Sequence, residues 1–93
     1  MKFTWLNKQG VRSETGFELQ RVDRFTMSYR EVNRIITIGI DNGIVGQRPA
    51  VIMGPKSLEM WDSGVPIDAE KQREILRNIE NALGFQDVGL SVE

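Results

Sequence analysis

A chain of 93 residues with 12 basic and 13 acidic side chains, 40% hydrophobic and 27% charged, is nearly neutral, sized for one domain and too apolar to stay disordered. It holds neither cysteine nor histidine. That excludes disulfides, thiolate metal sites, iron–sulfur clusters and thiol catalysis, and it removes the usual general base and most zinc chemistry.

The first two-thirds, residues 1–64, read as short strands parted by turn residues. Phe3 and Trp5 alternate with Lys2 and Thr4, and Asn7-Lys8-Gln9-Gly10 supplies a turn. Phe17 and Leu19 alternate with Glu18 and Gln20. Phe25, Met27 and Tyr29 alternate with arginine, threonine and serine in the clearest period of two, which puts these aromatics on a core face. From Arg34 to Ile40 the pair Ile35-Ile36 leaves no polar side at the start, so this strand is expected to lie centrally and to be covered on both faces.

Asp41-Asn42-Gly43 carries residues that tolerate the positive φ of tight turns, and predicts a hairpin tip, with Ile44 and Val45 pairing back. Pro49 and Pro55 bracket Ala50–Met53 and point to strand ends or an edge. Leu58–Asp62 predicts one more short strand. After Pro66 the period changes to 3.6. Ile75, Leu76, Ile79, Ala82 and Leu83 form one stripe of a helix over about 68–83, N-capped by Asp68 and closed by Gly84. Val88, Leu90 and Val92 in the tail, 85–93, suggest a final edge strand.

These patterns predict one α+β domain, 1–93, in which an antiparallel sheet of short strands, flat or curled, carries one C-terminal amphipathic helix. Strand order and oligomeric state are left open by them. No run approaches the roughly 20 apolar residues of a membrane span, and the first residues lack the long apolar stretch of an export signal. A cytoplasmic protein is therefore expected.

Chemistry-bearing constellations are few. Glu59 and Asp62 flank Trp61 as the tightest acidic pair. On a strand their odd spacing puts them on opposite faces, which suits solvated acids better than paired-carboxylate catalysis. Gly54-Pro55-Lys56-Ser57 lacks the direct Gly-Lys-Ser of a phosphate loop, because Pro55 intervenes. Gly43-Ile44-Val45-Gly46 has the glycine spacing of an RNA clamp in a strand-like setting without the basic loop residues, and reads as a hairpin pair. No catalytic residue, cofactor site or metal site is assigned.

Two binding surfaces compete. Arg21, Arg24, Arg30 and Arg34, with Phe25 and Tyr29 between them, suggest a nucleic-acid face, although Asp23 and Glu31 interrupt it and the aromatics alternate away. Residues 1–56 carry 9 basic and 5 acidic side chains, and residues 57–93 carry 3 and 8. The acidic half suits a basic protein partner. Within it Trp61, between acids and before a Gly/Pro-rich loop, has the character of an interface anchor.

The order Trp61-Asp62, Pro66-Ile67, then Ile75-Leu76-Arg77-Asn78-Ile79-Glu80-Asn81-Ala82-Leu83-Gly84-Phe85 and a short apolar tail resembles the small immunity proteins of bacterial polymorphic-toxin and contact-dependent growth inhibition systems. The likeness covers the last third of the chain. It implies a non-enzymatic cytoplasmic binder that blocks the active site or substrate surface of a cognate toxin, with a nuclease as one candidate class. On that expectation Glu59, Trp61 and Asp62 form the central partner-binding cluster and Asp41 and Asn42 a second one. A small RNA- or DNA-binding domain is the alternative.

Overall fold

The computed structural model describes residues 2–93. Seven strands, β1 (Phe3–Asn7), β2 (Gly10–Ser13), β3 (Glu18–Asp23), β4 (Thr26–Glu31), β5 (Arg34–Val45), β6 (Arg48–Met53) and β7 (Gly89–Val92), form one sheet in sequence order. β1 to β6 run antiparallel as a meander, and β7 returns parallel to β6. The one helix among the described residues, α1 (Ala69–Phe85), supplies the crossover and lies on one side of this curled half-barrel.

The curl originates in β5, which is twice as long as its neighbours. Its first half pairs with β4, ending at Thr26↔Gly39, and its second half pairs with β6, beginning at Ile40↔Met53. One strand thus turns the corner between two parts of the sheet. Because side chains alternate, Val11, Leu19, Tyr29 and Ile36 form a row across β2–β5, since each stands opposite the next. All four are at most 1% exposed. Ile75, Ile79, Ala82 and Leu83 of α1, fully buried, close over this face.

A single helix covers a single face. The expectation that Arg34–Ile40 is covered on both sides is therefore corrected: Ile36, Ile38 and Ile40 are buried, while Ile35, Thr37 and Gly39 look outward to solvent. That outer face is polar, with Glu18 standing in register between Arg12 and Arg30 and bonded to Arg12 at 2.7 Å.

The turns differ from expectation in instructive ways. Asp41-Asn42-Gly43 is not the hairpin tip. β5 continues through it to Val45, and Gly46 (φ 57°) and Gln47 (φ 70°) make the turn, the pair of positive values that a two-residue type I′ hairpin requires. Asn42 instead uses its side-chain amide to donate to the Arg24 carbonyl at 2.7 Å. Leu58–Asp62 is a looped segment with one bridge, Met60↔Pro66, rather than a strand. β2, with only four residues, had no distinguishable pattern in the sequence.

Asp68 caps α1 as expected, accepting from the Lys71 amide at 2.8 Å. The helix passes through Gly84 and ends one residue later at Phe85. Asp87 takes the left-handed conformation (φ 61°), and the amides of Asp87 and Val88 donate to the carbonyls of Gly84 and Leu83. Asp is among the few non-glycine residues that adopt this conformation readily, so no glycine is needed there. Pro49 sits one position before β7 begins opposite Ala50, so its missing N–H interrupts no ladder on that side. Val32, at the β4–β5 turn, is the strained position: a β-branched residue at φ 52°, 89% exposed.

Candidate functional site

The cluster around Trp61 is brought together as architecture. Trp61 is 3% exposed and belongs to the core. The guanidinium carbon of Arg34 lies 5.7 Å from its ring centroid, within cation–π range. Its amide donates to Val65 O, and the Gly64 amide donates to its carbonyl. The ring therefore offers no anchor to a partner, for a physical reason. β6 leaves β5 after Met53, and the open edge of β5 that remains is filled by this loop with Trp61 as its inward plug.

Asp62 completes that filling. Its amide donates to Ile35 O at 2.8 Å, and its carboxylate accepts from the Thr37 amide (2.8 Å) and the Thr37 hydroxyl (2.6 Å). A side chain here does the work of a missing strand, satisfying backbone groups that would otherwise be orphaned. Both carboxylate oxygens are thereby engaged inside the molecule. Of the three predicted residues Glu59 is the one with a free side chain, and only its backbone is used, the amide donating to the Lys56 carbonyl and the carbonyl accepting from the Ile67 amide.

Asp41 and Asn42 are exposed on the second half of β5. β5–β6 projects there as an arm, and large apolar side chains are exposed at this end of the sheet: Ile44 at 79% and Val45 at 57%, on opposite faces of the arm, and Phe25 at 60% and Val22 at 59% around the β3–β4 turn. The β3–β4 turn is held against this arm by the Asn42–Arg24 bond and by the Ile40 amide donating to Phe25 O at 2.9 Å. Phe25 is thus outside the core where its alternation with Met27 and Tyr29 had placed it, because it lies in the turn before β4 starts. These four residues were missed as site candidates. Alternation reports which face a side chain takes, and it carries no signal for a strand that outruns its neighbour.

The arginines do not converge. Arg34 covers Trp61, Arg30 lies on the outer face, Arg24 is in the β3–β4 turn, and Arg21 lines a cleft between β1 and the end of α1. A continuous basic track of the kind that follows a nucleic-acid backbone is not assembled from these four.

The densest polar group joins sheet to helix. The buried Tyr29 hydroxyl donates to Glu31 and accepts from Asn78 Nδ2 at 3.0 Å. Lys71 pairs with Glu31 at 2.8 Å and with Glu74. Burial, with the Glu31 bond behind it, raises the Tyr29 pKa far above its ordinary value. Burial works against the Lys71 charge, but its bonds to Glu31 and Glu74 more than offset this and raise its pKa. Glu31, Lys71, Glu74 and Asn78 border a cleft of about 390 Å³ together with Thr15, Gly16, Phe17 and Val32. Each titratable member is bound to another, so the network holds α1 to β4 and leaves no free base or nucleophile poised in the cleft. Among the described residues no three acids are placed to hold a metal ion.

No helix among the described residues is long and apolar enough to cross a membrane. Comparison of the chain with protein-family models, with curated proteins and with solved structures gives no match.

Proposed function

We propose that this protein is a cytoplasmic immunity protein that neutralises a cognate toxin domain by non-covalent association, and that the β5–β6 arm is its docking surface. One observation carries the reading: four large apolar side chains, Val22, Phe25, Ile44 and Val45, each more than half exposed at one end of the sheet. Apolar surface exposed in this concentration at one end of a small protein marks an interaction site. Asp41 beside them adds a rim charge for a basic partner, so part of the predicted second cluster stays in the site while the Trp61 cluster leaves it. A standard interface of about 800 Å² per partner would take roughly an eighth of the 6001 Å² surface, which the arm and the β3–β4 turn together suit. An inhibitor needs a rigid scaffold and a complementary surface, and no catalytic group.

Affinity capture of the tagged chain from its host at moderate salt tests this. The expected result is one stoichiometric protein that is toxic when expressed alone and harmless when co-expressed with this chain. Captured nucleic acid that is released steeply with salt would replace the reading with the nucleic-acid alternative.

A further inference from the structure

β1 forms one edge of the sheet, and Phe3–Asn7 contains no charged residue. Edge strands are ordinarily blunted by charge, proline or a bulge. The irregularity in this one comes only after Trp5. The Glu14 amide donates to Lys2 O at 2.9 Å, and Thr4 stands opposite Arg12. Alternation therefore turns the backbone N–H and C=O of Phe3 and Trp5 to the open side. Trp5 is 50% exposed and its ring centroid lies 5.4 Å from that of Phe85, itself 44% exposed.

Beside this edge, Trp5, Lys8, Gln9, Arg21, Gln86 and Val88 line a cleft of about 250 Å³. Arg21 Nε is buried there without a hydrogen-bond partner. Among the described residues neither Arg21 nor Lys8 has an ion-pair partner; Asp87, next to the cleft in sequence, faces Arg48 at 3.5 Å. The Leu83 and Gly84 carbonyls at the end of α1 are taken by the amides of Gln86, Asp87 and Val88. A half-buried guanidinium with an unpartnered N–H is costly, and a carboxylate is the group whose geometry answers it.

We propose that β1 and this cleft bind an extended acidic segment of a protein partner. The segment adds a strand to β1 through the backbone of Phe3 and Trp5, lays an apolar side chain on Trp5 and Phe85, and sets a carboxylate against Arg21 and Lys8. Charge selects this occupant over a second copy of the chain. Antiparallel self-pairing centred on Trp5 would oppose Lys2 with Lys8 and bring no acid to Arg21. This surface is distinct from the β5–β6 arm and does not depend on the toxin reading.

The test is an amide NMR titration of the isotope-labelled full chain with the capped heptapeptide Asp-Val-Thr-Val-Thr-Val-Glu, against the same peptide with lysine at both ends. The acidic peptide is expected to move the amides of Phe3 and Trp5 and the Trp5 indole signal, leaving the buried Trp61 indole in place. Arg21→Gln, and separately Lys8→Gln at its exposed turn, should each weaken the acidic peptide by about tenfold with the remaining spectrum unchanged. Absence of shifts at millimolar peptide, equal shifts from the lysine peptide, or movement of the same amides with chain concentration alone would each overturn the proposal, the last by showing the edge covered by a second copy.

Discussion

Trp61→Ala lowers the stability of the fold by about 3–5 kcal/mol, the range for truncating a buried large aromatic. Three losses combine. The ring leaves the core, where it is 3% exposed. Arg34 loses the face it covers. The loop that carries Asp62 onto the open edge of β5 loses its plug, exposing the Ile35 carbonyl and Thr37 amide that Asp62 satisfies. A domain of this size has a total stability of about 5–14 kcal/mol, so the variant stands near the limit of folding. Urea unfolding checks it: the midpoint should fall sharply with little change in the denaturant dependence. A change within about 0.5 kcal/mol, as at an ordinary surface site, would mean that the loop does not seal β5. Glu59→Ala, two residues away with its side chain in solvent, is the matched control and should be near neutral.

The second large effect is alkaline. The folded state raises the Tyr29 pKa above its ordinary 10.0, first by burial and then by the Glu31 bond. The unfolded chain therefore loses this proton at lower pH than the native protein does. Above about pH 10 the unfolded state binds fewer protons, and stability falls as pH rises. Lys71 acts in the same direction. Its pKa is raised above 10.5, so its contribution is complete below the unfolded value and disappears as pH climbs through the folded one. Stability should be flat through neutrality and drop between about pH 10 and pH 12. The chain has one tyrosine, so ultraviolet absorbance reports its ionisation without overlap and should show it coinciding with unfolding. Tyr29→Phe should cost about 1–3 kcal/mol at neutral pH, because Glu31 and Asn78 lose a partner in a part-buried site, and should reduce the alkaline slope. A native protein whose phenol titrates at its ordinary pKa would contradict the network.

The alternation of Met27 with Tyr29 and the stripe Ile75–Leu83 were sufficient to place the sheet, its core face and the helix. They report burial on one element and its period, which depend on local spacing. What they could not report was pairing extent. That β5 is shared between β4 and β6, that Asn42 reaches Arg24, and that Gly46-Gln47 makes the turn instead of Asp41-Asn42-Gly43 are facts of register between distant segments. Trp61 shows the same limit. Its acidic neighbours gave it the look of a surface anchor, but Asp62 is acidic in order to bond Thr37, twenty-five residues away. Phe25 erred in the other direction, since an aromatic one residue outside a strand keeps the strand's period and loses its burial. The end of α1 was misplaced because Asp87 can adopt the conformation that Gly84 seemed reserved for.

The measurement that bears most directly on the central claim is the affinity of the captured partner for the native chain and for Ile44→Asp, compared with Glu59→Ala, by titration calorimetry. The arm is exposed, so Ile44→Asp should keep the native melting temperature while weakening association by about 2 kcal/mol or more, and Glu59→Ala should leave it unchanged. Undiminished binding by Ile44→Asp together with loss on Glu59→Ala would contradict the account and return the docking surface to the acidic loop.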